Sequence, residues 1–189
     1  MKESYYVDLF FSITDIICKD IKVGEFFVKK QANLLYQICI NPELKIDIKD
    51  ITNPLRGSSA FQTDLCIFEK INEIDIPRVV IEFKTNYTTH DVLTYSAKAG
   101  KHKQIYPYLR YGLISTALPY ITGRFFTHNE NLDFVLTTKR YNDNKTAIRD
   151  VIHKLVVFEI DKSIKLEEIY FNDSKNDYFS KDIIFKNIV

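Results

Sequence analysis

Thr63-Asp64-Leu65-Cys66-Ile67-Phe68 and Val79-Val80-Ile81-Glu82-Phe83-Lys84 are the stretches whose reading decides the fold. Both are apolar and β-prone, and Glu69, Lys70, Asn72, Glu73 and Asp75 lie between them. That composition predicts two neighbouring antiparallel strands joined by a solvated loop. Side chains alternate between faces along a strand. Val79, Ile81 and Phe83 therefore share one face of the second strand, and Val80, Glu82 and Lys84 share the other. Asp64, Cys66 and Phe68 share a face of the first. When the strands pair, Asp64, Glu82 and Lys84 meet at one end of the sheet.

Such a meeting has chemical consequences. Two carboxylates a few ångströms apart repel each other, and a hard divalent cation relieves the repulsion. Mg²⁺ takes one or two protein carboxylates and completes its shell with water and phosphate oxygens. A lysine two residues after the second carboxylate orients or deprotonates a water and neutralises charge growing on a phosphate. The same residues also read as a plain hairpin whose Glu and Lys form a solvated pair worth ~0–1 kcal/mol. The setting favours a site. Glu82 and Lys84 close an apolar run, and Thr85, Asn86 and Tyr87 follow at once. Ligands bind at such strand ends.

Asp64, seventeen intervening residues, and Glu82-x-Lys84 together resemble the signature of the PD-(D/E)XK nucleases, a superfamily that includes restriction endonucleases and repair nucleases. Thr63 stands where that family often has proline. The resemblance implies a restriction endonuclease-like α/β fold, with a central mixed sheet of about four or five strands and helices on both sides. It implies Mg²⁺, with Mn²⁺ as a substitute, held by Asp64, Glu82 and the Phe83 carbonyl, and Lys84 acting on the attacking water. An acidic residue on a helix before the sheet helps hold the metal in many members, which points to Glu25. Gln104 and Tyr108 are four apart and share a helix face. Gln-x-x-x-Tyr resembles a motif of the branch that includes nuclease domains of type I restriction motor subunits. There the two residues support the site or contact nucleic acid. The resemblance covers roughly residues 56–116. No histidine precedes His90, unlike some recombination nucleases.

With 189 residues, 46% hydrophobic, the chain suits one domain with a substantial core. Its parts read as a helical segment 1–43, a sheet core with the site over 44–137, and a helix and tail over 138–189. Net charge is +1, so any affinity for nucleic acid must come from local distribution. Three cysteines, Cys18, Cys39 and Cys66, lie in apolar runs without a C-x-x-C. They are expected to be buried free thiols, with no disulfides. No signal peptide and no membrane span are expected, which points to the cytoplasm.

Along the chain, helical spacing predicts helices over 4–20 and 23–39, the second carrying Glu25. Leu44–Ile48 alternates like an edge strand. Arg56, Gly57, Ser58 and Ser59 form a polar loop that reads either as a phosphate grip or as a turn. A helix is expected from Asp91 to about Tyr108, interrupted near Gly100 and bent near Pro107. Strands follow at 111–116 and 134–137, separated by a loop. The last helix is expected over 146–157, before a tail that packs on the body. From Lys84 to Tyr111 the basic residues Lys84, Lys98, Lys101, Lys103 and Arg110 face one acid, Asp91. Such a stripe suits a phosphodiester backbone, although a solvated helix face looks the same.

The expected function is Mg²⁺-dependent endonucleolytic hydrolysis of DNA, in restriction or genome defence, by a homodimer or with a partner subunit. The chain has no P-loop motor. One rival is the same fold kept as a catalytically weak module that binds nucleic acid or protein. Another is a structural domain in which the motif is accidental.

Overall fold

A computed structural model describes residues 3–48, 50–57 and 59–172. The order of elements is α1 (Glu3–Asp20), β1 (Glu25–Lys30), β2 (Asn33–Leu35), β3 (Ala60–Gln62), β4 (Leu65–Ile71), β5 (Ile74–Lys84), α2 (Thr89–Ile105), β6 (Arg110–Ser115), α3 (Gly123–His128), β7 (Phe134–Thr137) and α4 (Lys145–Phe171). Five strands form one mixed sheet in the order β1-β4-β5-β6-β7. The β1, β4 and β5 strands pair antiparallel, and β5, β6 and β7 pair parallel. The fold is therefore α/β with a central mixed sheet flanked by helices.

Strand alternation divides the core. Leu65, Ile67, Val79, Ile81 and Phe83 face α1 and α4, where Phe83 meets Phe10 edge-on at 5.1 Å. Cys66, Phe68, Val80, Tyr111 and Leu113 face the other layer, with Val92 and Ala99 of α2 and Phe125 of α3. The expected loop between β4 and β5 is only a two-residue turn. Asn72 and Glu73 both have positive φ, 49° and 65°, the backbone of a tight hairpin turn that matches strand twist. Glu69, Asp75 and Arg78 thus lie in strands. Pro77 is accommodated because the register shifts beside it, between Ile67 and Phe68.

Two expected elements are replaced by other structure. Residues 23–39 form no helix. Gly24 turns the chain at φ +90°, and Phe26 and Val28 then point inward with period two as β1 pairs with β4. The apolar run Phe26-Phe27-Val28 is as compatible with a strand as with a helix, and pairing with β4 decides between them. Leu44–Ile48 forms no strand either. It contributes one bridge, Ile40 to Ile46, in the irregular excursion between β2 and β3.

The α2 helix starts with a capping box between Thr88 and Asp91 and runs unbroken through Gly100. A Cβ at Gly100 would lie 2.8 Å from the Asn131 side chain, so that glycine permits close packing of the 129–133 loop rather than a break. The α4 helix is capped by Asn144 and continues to Phe171, well past the expected 157. The 117–133 loop contains α3. The tail expected to pack on the body lies, from residue 173 onward, outside the described residues. Cys18 and Cys66 are buried free thiols as expected, whereas Cys39 is exposed. No helix among the described residues is long and apolar enough to cross a membrane.

Candidate active site

Asp64 immediately precedes β4, and Glu82 lies two residues before the end of β5. The two segments interlock. Asp64 Oδ2 accepts the Phe83 N–H at 2.8 Å, and Glu82 Oε2 accepts the Asp64 N–H at 3.2 Å. Each carboxylate thus accepts a backbone N–H of the opposite segment, and the two acids sit side by side on the α2 face of the sheet.

Glu82 is 2% exposed. Its Oε1 accepts from Lys98 Nζ and from the Tyr111 hydroxyl, both at 2.5 Å. Burial pushes its carboxyl pKa up and the Asp64 charge adds to this, while Lys98 opposes the rise. Lys98 also donates to the Gln62 carbonyl at 2.6 Å. Burial, and then the charge of Glu82, hold the Tyr111 phenol well above its ordinary pKa, so it remains an O–H donor. Lys84 Nζ lies 3.7 Å from Glu3 Oε1 and 5.7 Å from the centre of the Tyr95 ring. Lys98 Nζ lies 5.9 Å from that same centre. Two ammonium groups therefore flank one aromatic ring beside two carboxylates. Burial, Glu82, Asp64 and Glu3 all raise the Tyr95 pKa.

The structure brings Asp64, Glu82, Lys84 and Lys98 to one end of the sheet, and places Glu25, Gln104, Tyr108, Lys103 and Arg110 elsewhere. Glu25 pairs in register with Lys70, while Asp64 adjoins the opposite end of that ladder, where Lys30 meets Leu65. Five residues of strand, about 16 Å, separate the two positions, so Glu25 stands apart from the carboxylates. The acid that approaches them from the N-terminal region is Glu3. Among the described residues, no group of three His, Cys, Asp or Glu side chains is disposed to hold a metal. Gln104 is exposed on the last turn of α2. Tyr108 lies beyond that helix with its ring 5.3 Å from the Arg78 guanidinium. Since α2 runs from the carboxylate end of the sheet towards the far end, neither joins the cluster.

The basic stripe is largely spent on internal pairs. Lys98 binds Glu82. Lys103 binds Asp133 at 2.6 Å, and Arg110 binds Asp133 at 2.8 Å and Glu159 at 2.7 Å. Lys101 is exposed. Arg56 is exposed and donates to the Gln62 side chain at 3.3 Å, next to the carbonyl that holds Lys98. The Ser59 carbonyl accepts the Tyr36 N–H at 2.9 Å. Ser58 lies outside the described residues.

Sequence reasoning missed Tyr95 and Tyr111, and it assigned Lys98 to phosphate rather than to Glu82. One signal was present. Tyr95, Lys98 and His102 recur at helical spacing on α2 and so face the sheet together. Tyr111 lies opposite Val80, one diagonal from Glu82, within reach of a long aromatic side chain.

No protein-family model matches this sequence, and no curated protein matches it.

Proposed function

We propose that this chain is a divalent-cation-dependent nuclease that hydrolyses phosphodiester bonds in DNA. The observation that supports this reading is the interlocked pair of Asp64 and Glu82 beside two lysines, at the end of a buried strand. Their donors are carboxylate oxygens, which suit Mg²⁺ or Mn²⁺ rather than a softer metal. Asp64 and Glu82 would hold the cation. Bound there, it would supply charge stabilisation to a phosphoryl oxygen and acidify a water. Lys84 is the half-exposed cation that orients that water. Lys98 and Tyr111 are positioning residues: they fix Glu82 through Oε1 and keep Oε2 turned towards Asp64. Restriction or genome defence is the setting suggested by the resemblance to PD-(D/E)XK enzymes.

The test is incubation with plasmid and with linear single strands, in Mg²⁺ or in EDTA, with products read on a gel. Metal-dependent cleavage is the expected result, and uncut substrate at every Mg²⁺ concentration rejects the proposal. A binding module that has lost catalysis is the second reading, favoured by the Lys98 ammonium already held against Glu82. Binding to DNA without cleavage would identify it.

The internal pairing of the stripe changes what its residues should do. Lys101→Ala is expected to reduce the slope of log K against log salt by about 0.9 on duplex DNA. Arg110→Ala should act on stability, because it leaves the buried Glu159 without its guanidinium and Asp133 with Lys103 as its one remaining cation. Salt-dependent binding isotherms check the first, and thermal melts the second. An unchanged slope for Lys101→Ala removes α2 from the DNA interface.

A further inference from the structure

On the α2 face of the sheet, a cleft of about 340 Å³ opens between the 29–34 segment, the 51–54 turn and the start of β5, with Tyr106 and Tyr108 at the end remote from the carboxylates. Its 29–34 wall meets the Asp64 segment through the backbone. Gln31 N–H donates to the Asp64 carbonyl at 3.1 Å, and Thr63 N–H donates to the Ala32 carbonyl at 2.9 Å. From there the cleft reaches Pro77, five residues and about 16 Å along β5 from Glu82. Ala32, Leu34 and Phe68 on its floor belong to the core, and the candidate nuclease chemistry does not use it.

We propose that this cleft binds one nucleotide unit, with the base against the aromatic wall and the phosphate at the lysine rim. The wall is Phe68, Tyr106, Tyr108 and Pro77. The two tyrosines are half-buried, edge-to-face at 6.5 Å. Aromatic surfaces of this kind stack any base, because every base has a π-face. The Asn33 carboxamide also lines the cleft, and its Oδ1 is buried without a hydrogen-bond partner. A half-turn of the amide exchanges donor and acceptor, so Asn33 can match the paired donor and acceptor of a base edge. At the rim, Lys29 Nζ is 2.8 Å from Asp75 and stands over the Phe27 and Phe68 rings, whereas Lys30 turns to Asp8 and Phe11 of α1 on the other face of the sheet. The Lys29–Asp75 pair is solvent-exposed and worth only ~0–1 kcal/mol, so a phosphate dianion competes with the Asp75 carboxylate for Lys29. Size sets the stoichiometry. Ligand clefts span about 300–1,000 Å³, and this one is near the lower limit, which suits one nucleotide rather than a stacked pair.

The same chemistry is offered by a free nucleotide and by an unstacked nucleotide of a strand passing the carboxylates. The strand source rests on the proposed nuclease reading, whereas the free nucleotide does not. The experiment is an NMR titration of the full chain with each deoxynucleoside monophosphate, then with a short single-stranded oligonucleotide. Shifts confined to residues 29–34, Phe68 and Tyr106 are expected in both arms. Tyr106→Leu should weaken binding roughly tenfold, and Lys29→Gln should weaken it without affecting the fold, since that side chain is on the surface. Shifts with mononucleotides alone support the cleft as a free-nucleotide site. If neither probe moves these resonances, or the variants bind like wild type, the proposal is overturned. Cleavage without nucleotide binding would leave the nuclease and reject the cleft, and binding without cleavage would do the reverse.

Discussion

Glu82→Gln is expected to lose nearly all Mg²⁺-dependent cleavage while keeping its fold. Glutamine retains one oxygen for Lys98 and Tyr111, so the buried packing survives, although its NH2 then faces the Asp64 N–H that Oε2 accepted and the melting temperature should fall. Glu82→Ala is the poorer test, because breaking a buried ion pair by removing one partner costs about 3–5 kcal/mol. What glutamine removes is one of two negative charges on a hard cation, so cleavage should fall and the Mg²⁺ requirement should rise. Lys84→Ala should fail differently. A positioned proton-transfer group contributes ~10²–10⁴-fold to rate, so single-turnover cleavage should slow by about that factor at an unchanged Mg²⁺ requirement. Its pairing with Glu3 at 3.7 Å is half-exposed, and its loss should leave the melting temperature nearly unchanged. A Mg²⁺ titration of single-turnover rates separates the two variants. If both cut at the wild-type rate, the Asp64–Glu82–Lys84 cluster is not an active site.

Acid should destabilise the fold through His102. This side chain is fully buried between Tyr111 and Phe61. Its Nδ1 is 2.8 Å from the Leu35 carbonyl, which only accepts, so Nδ1 carries the proton. Its Nε2 is buried without a partner. Burial lowers the imidazole pKa from 6.5 to about 4. The unfolded chain therefore binds the proton more readily than the folded one. The neutral ring's contribution to stability is complete above pH 6.5 and is lost as pH falls from there towards 4, a loss on the order of 3 kcal/mol. His102→Gln keeps a donor for Leu35 but does not titrate. Urea denaturation at pH 7 and pH 4 should show wild type losing more stability than the variant by that amount. Parallel losses would mean that His102 is not held neutral.

The parts of the candidate site that were legible in the sequence are those carried by local periodicity. Asp64 and Glu82 share a face because strand alternation has period two, and β4 and β5 pair because two apolar stretches flank a short turn. The Lys98–Glu82 pair was not legible. Sixteen residues separate its members, and no period relates a helix position to a strand position. Lys103 and Arg110 looked like free cations because their acids, Asp133 and Glu159, come later, on other elements. Gln104 and Tyr108 have the spacing of a shared helix face, but the helix ends at Ile105, so the chain leaves the helix between them.

The sequence by itself determined the β4–β5 hairpin, the α/β class, the helices α1, α2 and α4, and the placing of two carboxylates at one sheet end. Each depends on side-chain alternation or helical repeat within a few residues. Tertiary structure alone decided that residues 25–30 are a strand, because the run Phe26-Phe27-Val28 is too short to show a period until β4 offers an edge to pair with. It also decided which lysine neutralises Glu82 and which acid reaches the site. Those choices depend on which charged groups meet after burial, where an ion without a partner is too costly to keep.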